Sequence, residues 1–226
     1  MYPPFGGVSY GPYGNLGIYG GLVSYGSLEL TETSPPQSFV EPLSLPDVQS
    51  YLQLPDSMAQ AQAATLLMFI SAAREQAEIL QNRDLVRKQW DIAFDYWPGW
   101  RIELRPHLVS VDLAQFTDAT GTIHPMVANT DYVVDLAKKP GILAPPYGKT
   151  WPIFTPPPTG AILIRFTAGI APGAAFWADA GARVKVGMKL LISMWFSNRI
   201  PLGTKVDEFP YAVTSCLSYG AVPRAK

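Results

Sequence analysis

The chain has 226 residues, 48% hydrophobic and only 15% charged, and its 17 Lys and Arg against 18 Asp and Glu leave a formal net charge of −1. Near-neutrality excludes holding nucleic acid by a global positive field, and a single cysteine, Cys216, excludes an intramolecular disulfide framework. A chain of this length buries about 70% of its unfolded surface, and so small a charged share leaves little ionic surface to keep a monomer apart from its neighbours, which favours an assembled protein.

Residues 1–42 form the first compositional block. Residues 1–28 hold eight glycines and five tyrosines, and no charge precedes Glu29. There is no basic n-region, and glycines interrupt the apolar pairs, so a cleaved secretion signal is not expected. No run reaches the roughly 18 apolar residues that span a bilayer. The segment TETSPPQSFVEP follows. Glycine raises the entropic cost of ordering and the prolines forbid a continuous helix or ladder, so by itself the arm is expected to be mobile. Tyr2, Phe5, Tyr10, Tyr13, Tyr19 and Tyr25 are unusual for such a tail. Each ring has a large apolar face, and the tyrosines add a polar tip; both suit grooves of another chain.

In LSLPDVQSYLQL a short helix is legible. Ser44 is placed to cap it, Pro46 is tolerated in the first turn, Asp47 suits the positive end, and Val48, Tyr51 and Leu52 share a face. A long helix follows from a cap at Asp56 or Ser57, with Leu66, Phe69, Ile70, Ala73, Ala77 and Leu80 recurring at spacings of three and four. Arg74 and Glu78 stand at i, i+4 on its polar side, and its many alanines allow a partner helix to approach closely.

From Asp84 the period changes to two. Trp90, Ile92, Phe94 and Tyr96 alternate with polar residues as in a half-buried strand, and Pro98-Gly99 ends it in a turn. Residues 101–104, 108–117, 131–136 and 161–167 read as further strands of one antiparallel sheet. Between the last two, ILAPPYGKTWPIFTPPPTG is too rich in proline for regular pairing and reads as a structured loop pinned by Tyr147 and Trp151. The chain becomes helical again near Asp179. Val184, Met188, Leu191 and Trp195 make one apolar stripe and Val186, Leu190 and Met194 an adjacent one, a width that needs cover on more than one side. A last short helix is expected within residues 207–219.

Chemistry-bearing residues are sparse. Gly148-Lys149-Thr150 echoes the end of a phosphate loop, but Leu143 stands where the earlier glycine belongs and Trp151-Pro152 follows instead of a helix, so a turn is the better reading. His107 and His124 share no two-ligand spacing, and with Cys216 they are a poor metal set; no metal, cofactor or catalytic residue is assigned. Cys216 reads as a small buried side chain. The carboxylate pairs Asp91 with Asp95, Asp131 with Asp135, and Glu75 with Glu78 fit a solvated face as well as acid and base roles. Lys185 and Lys189 form a basic stripe suited to solvent or to a salt bridge with a neighbour.

Taken in order, LSLPDVQSYLQLPD, the helix end FISAAREQAEILQNRDLVRKQWDIAFDYWPG, DYVVDLAKKPGIL with GKTWP, ILIRFTAGIAP and VKVGMKLLISMWFSNR resemble the head-tail connector proteins of long-tailed bacteriophages, also called head-completion or adaptor proteins. The arm before residue 40 has no counterpart in that pattern, and Ile170 replaces the aromatic often found after FTAG. The resemblance implies an α+β fold, a small helical bundle with an inserted antiparallel β region. It is expected to comprise the Gly/Tyr-rich arm at 1–42 and a connector domain at 43–226, with helices at 44–82, the β region at 84–168 and C-terminal helices at 179–219. It further implies a non-enzymatic homo-oligomeric ring of twelve copies at the head-tail junction of a virion, assembled in the host cytoplasm. Such a ring docks on the portal protein and receives a stopper or tail-terminator protein, and DNA passes through without sequence-specific binding or any membrane. The arm's six aromatics would then dock on partners, and Arg74, Glu78, Lys185 and Lys189 would form helix contacts between subunits. A stopper or tail-completion protein at the same junction is the alternative; a virion-associated hydrolase using Asp91 and Asp95 is a more distant one.

Overall fold

A computed structural model describes residues 30–33, 40–197 and 210–222. In chain order these form β1 (Leu30–Glu32), α1 (Leu45–Leu52), α2 (Asp56–Ala61), α3 (Ala63–Gln81), β2 (Lys88–Phe94), β3 (Ile102–Glu103), β4 (Leu108–Thr117), β5 (Ile123–Pro125), β6 (Val133–Asp135), β7 (Ile142–Ala144), β8 (Ile162–Ala168), α4 (Ala180–Ser197) and α5 (Tyr211–Leu217), with a 3-10 turn at Ala175–Ala178. The fold is α+β: α1–α3 pack with α4 and α5, β2–β8 lie between these helix groups in sequence, and β1 precedes α1.

The first helix starts as its residues dictate. Ser44 accepts from the Asp47 N–H while the Asp47 carboxylate accepts from the Ser44 N–H, a reciprocal capping box. Val48 is buried, whereas Tyr51 turns outward. The expected long helix is two: α2 has Pro55 at its N-cap with no side-chain cap, and the chain bends at Gln62 before α3 begins. Leu66, Ile70, Ala73 and Ala77 of α3 are fully buried with Val184, Met188, Leu191 and Ile192 of α4, so the partner helix admitted by the alanines is α4 of the same chain. α5 closes the bundle through Val213 and Leu217. At Gly187 a Cβ would stand 2.7 Å from Leu217 Cδ2, so only glycine lets α5 lie this close to α4. Cys216 is half-buried there rather than enclosed. Val186, placed by its spacing on an apolar stripe, is exposed.

Among the described residues the strands form two antiparallel sheets, not one: five strands in the order β1-β2-β8-β4-β5, and three in the order β3-β7-β6. β2 and β8 alternate strictly between buried and half-buried residues. Their inner residues, Trp90, Ile92, Phe94, Ile162, Ile164 and Phe166, meet Ile102, Leu104 and Leu143 from the side of the smaller sheet in a second core. Each such aliphatic or aromatic side chain contributes about 1.5 to 3 kcal/mol by leaving water. β1, β5 and β7, of three residues each, have no counterpart among the expected strands, and β7 corrects the reading of the proline-rich segment: its first residues, Ile142–Ala144, pair regularly with β3 on one side and β6 on the other. β7 also stands between Pro140 and Pro145, where alternation has no room to show.

The two cores meet where β8 leaves its sheet. Gly169 has φ +118°, and a Cβ there would lie 2.0 Å from the Val86 carbonyl oxygen. Its N–H donates to the His107 carbonyl at 3.0 Å. Ile170 follows immediately and is buried in the helical core, so the aliphatic side chain fills the space beneath α3 and α4.

Candidate interaction surface

The proline-rich loop before β8 and the turn after β2 fold against each other at one end of the larger sheet. Trp97 and Trp151 stack with centroids 4.4 Å apart and planes 7° apart, an arrangement worth about 0.5 to 1.5 kcal/mol beyond area burial. The Trp97 Nε1–H donates to the Pro152 carbonyl at 3.0 Å and the Trp151 Nε1–H to the Gly99 carbonyl at 2.7 Å. Both indole donors are thereby satisfied inside, and Trp151 is itself buried in the core between the sheets. Around the pair, Tyr96, Trp100 (71% exposed) and Ile153 (98% exposed) point into solvent, and shallow grooves run between them, with Phe154 and Pro156 on one side and Pro145 on the other. Trp151 pins this loop as its sequence suggests. Tyr147 does not, because it is fully exposed beside Pro146. Gly148-Lys149-Thr150 is a turn: the Lys149 N–H donates to the Pro146 carbonyl, and its ammonium donates to the Thr130 carbonyl at 2.8 Å, pointing back to the chain's own backbone.

A second, aliphatic set of exposed side chains lies on α3. Met68 and Ile79, about three turns apart and therefore on one side of the helix, are exposed together with Leu67, with the exposed Glu75 on the same side between them.

Arg74 and Glu78 were expected on a polar face available to another subunit. They lie instead in the interior, 3% and 7% exposed, and Lys88 at the start of β2 is 6% exposed beside them. Glu78 accepts from Arg74 at 2.8 Å, from Lys88 at 3.0 Å and from the Leu85 N–H at 3.0 Å. Glu41 accepts from Arg74 at 3.0 Å and Glu32 from Lys88 at 3.1 Å. Burial alone would lower the Arg74 and Lys88 pKa values; Glu78 with the other carboxylates outweighs it, and both cations are held above their ordinary values. These residues thus join β1, the chain entering α1, α3 and β2, and their partners belong to their own chain. Lys185 and Lys189 are half-buried on α4, 5.1 Å from the Trp177 ring and 5.9 Å from the Tyr51 ring. The aromatics Tyr2, Phe5, Tyr10, Tyr13, Tyr19 and Tyr25 lie outside the described residues.

The remaining carboxylates serve structural bonds. Asp91 is held by both arms of Arg165 at 2.7 Å across β2 and β8, and Asp95 accepts from the Gly160 N–H. Asp131 accepts from the Val127 N–H and Asp135 from the Ala137 N–H. Buried Asp84 receives both arms of Arg105 and the Trp90 indole N–H, a junction the sequence reading passed over because Arg105 comes from a separate segment. His124 bonds Asp118 at 2.8 Å and stacks on Phe116. His107 has φ +57° and stands 3.2 Å from an Arg83 nitrogen; burial, with Lys139 and Arg83 nearby, lowers its pKa to about 4. Among the described residues no group of three or more His, Cys, Asp or Glu could hold a metal ion, and no helix is long and apolar enough to cross a membrane.

No protein-family profile and no curated protein matches the sequence. Solved structures do. A chain from the neck of an empty GTA particle, computed with C6 symmetry, matches at a TM-score of 0.65 and 21% identity over 88% of this chain and 97% of that one. A chain from the virion of a native gene transfer agent (GTA) particle matches at 0.62 and 19%, over 87% and 97%. One from the neck of a native GTA particle, computed with C12 symmetry, matches at 0.61 and 21%, over 88% and 97%. The chain therefore has, over nearly its whole length, the fold of chains built into the neck and virion of gene transfer agent particles.

Proposed function

We propose that this protein is a structural connector of a phage-like particle, a ring adaptor between the portal vertex of the head and the tail-side proteins. The observation that carries this reading is the shared fold with neck chains, which covers 97% of a chain taken from a neck of C12 symmetry. That symmetry supports a ring of twelve copies. The exposed strip of Leu67, Met68 and Ile79 and the basic stripe of Lys185 and Lys189 supply surfaces for sister copies, and the arm aromatics Tyr2 to Tyr25 add contacts to the portal. The order of helices, strands and helices argues against a mostly β stopper. The role requires no catalysis, and the tethering of Asp91 by Arg165 and of Asp95 by the Gly160 amide supports a non-enzymatic reading.

The test is a reconstruction of the particle, combined with a mass measurement of the isolated protein. Density for this chain between portal and tail, in a ring whose copy number matches the neck symmetry, is the expected result. Density elsewhere in the particle, or particles that complete and attach tails without the protein, would overturn the assignment.

A further inference from the structure

The outer faces of α3 and α4 are two different surfaces on opposite sides of one helix pair. At 3.6 residues per turn, Ala64, Met68, Glu75 and Ile79 of α3 fall within about 60° of arc, and all four are exposed. That arc lies opposite Leu66, Ile70, Ala73 and Ala77, which are buried with α4. On α4, Ala182, Arg183, Val186, Leu190 and Ser193 fall within about 100° of arc, opposite Val184, Met188 and Leu191 in the same core. Ala182, Arg183 and Val186 are exposed, and Leu190 and Ser193 are half-buried.

Each face is built of aliphatic and small residues around one charge, and the two charges are opposite. The Glu75 side chain is 64% exposed; it stands 3.5 Å from Arg74, which Glu41 and Glu78 hold more closely. Arg183 places its guanidinium 3.9 Å from the centre of the Tyr219 ring. The intervals match as well. Met68 and Glu75 are seven residues apart, as are Arg183 and Leu190. Laid antiparallel with Arg183 opposite Glu75, Leu190 meets Met68, and between them the larger Val186 meets the small Ala72, so that ridge enters groove. A parallel setting of the same ion pair would bring Gly187, enclosed by Leu217 and Cys216 of α5, opposite Ile79.

We propose that the outer face of α3 in one copy packs antiparallel on the outer face of α4 in the next copy, with Glu75 against Arg183 and Met68 against Leu190. A contact between two different surfaces repeats head to tail, and it closes into a ring when successive copies turn about one axis. Such a ring needs complementary faces on nearly opposite sides of each copy, as α3 and α4 supply. Charge also selects the mixed pairing: α3 against α3 brings two Glu75 carboxylates into one interface, and α4 against α4 two Arg183 guanidinium groups. The inference rests on the ring reading proposed above and names the surfaces that build the ring.

The experiment uses purified particles carrying the full chain, with Cys216→Ser as background. Met68→Cys, Leu190→Cys or both are introduced and the particles oxidised. The double variant is expected to give a ladder of linked copies, particles assembled from both single variants linked pairs, and each single variant alone no link. Self-linking of either single variant, or no ladder from the double variant, would overturn the pairing. In parallel, Glu75→Arg and Arg183→Glu should each lower incorporation about tenfold or more, and their combination should restore it; a combination no better than either change alone would overturn the ion pair. Thermal midpoints of the isolated variants verify folding, and the cysteine variants, which leave both charges in place, decide the matter if a reversed variant fails to fold. A reconstruction of the same particles separates the pairing from the ring reading. A ring in the neck without the ladder overturns the pairing alone, whereas a ladder from copies outside the neck overturns the adaptor role and leaves the pairing standing.

Discussion

Glu78 of α3 and Lys88 of β2 lie 3.0 Å apart, both nearly inaccessible to water, at the point where the helical bundle joins the sheets. Arg74 completes the site, and Glu41 and Glu32 bind its two cations on either side of the segment between β1 and α1. The carboxylate at position 78 is therefore the shared anion for two buried cations. Glu78→Ala would leave both short of a partner, and breaking one member of a buried pair costs about 3 to 5 kcal/mol. Equilibrium denaturation should show that loss. In a double-mutant cycle with Lys88→Ala the two changes should couple by more than about 1 kcal/mol; additive effects would mean that the ion pair is not what joins the lobes.

Gly169 allows β8 to pass against the Val86 carbonyl. Gly169→Ala would place a methyl group 2.0 Å from that oxygen, at φ +118°, where L residues are strained. Backbone must move, because the nearest atoms, the Val86 carbonyl carbon and oxygen and the Arg87 Cα, are themselves backbone. A loss of about 3 kcal/mol or more is expected, read as a lower thermal midpoint. A midpoint within the error of the parent would mean that the junction is looser than its geometry implies.

His107 gives the fold a pH dependence with a definite sign. Burial first, then Lys139 and Arg83, depress its pKa from 6.5 to about 4. Between those values the unfolded chain binds the proton and the folded chain does not, so stability falls as pH drops from about 6.5 towards 4 and is unaffected by this group at higher pH. Half-exposure to screening water reduces the contribution to about 1 to 2 kcal/mol. His107→Asn keeps a residue tolerant of positive φ and should flatten that part of the stability profile. An unchanged slope would assign the acid sensitivity to other groups.

The exposed strip of α3 is where folding and assembly should separate. Met68→Glu alters a side chain that is 61% exposed, and a surface change of this kind shifts stability by no more than about 0.5 kcal/mol. A charge placed within an apolar interface should nevertheless lower incorporation into rings or particles at least tenfold, about 1.4 kcal/mol. Denaturation curves and the quantity of protein in purified particles measure the two effects. Normal incorporation would remove this strip from the contact surface.

Much of the local structure was legible because it depends on neighbours in sequence. Ser44 and Asp47 make their capping box within one turn, the alternation of Trp90, Ile92 and Phe94 states which face of β2 is inside, and the proline-rich segment beyond Ala144 announces irregular structure held by Trp151. The spacing of Arg74 and Glu78 likewise revealed their bond. It could not reveal their burial, since a polar helix face reads as solvated until Lys88 and Glu41 arrive from other elements to neutralise it. The division into two sheets and the role of β1 share this character: β1 pairs with β2 and β7 with β3, segments far away in sequence, so these pairings could not be read from local propensity. The chain by itself determined the cap of its first helix and the inner faces of β2 and β8. Which surfaces are left to the outside was decided in three dimensions, because burial of charge and exposure of Trp100 or Met68 depend on what packs against them.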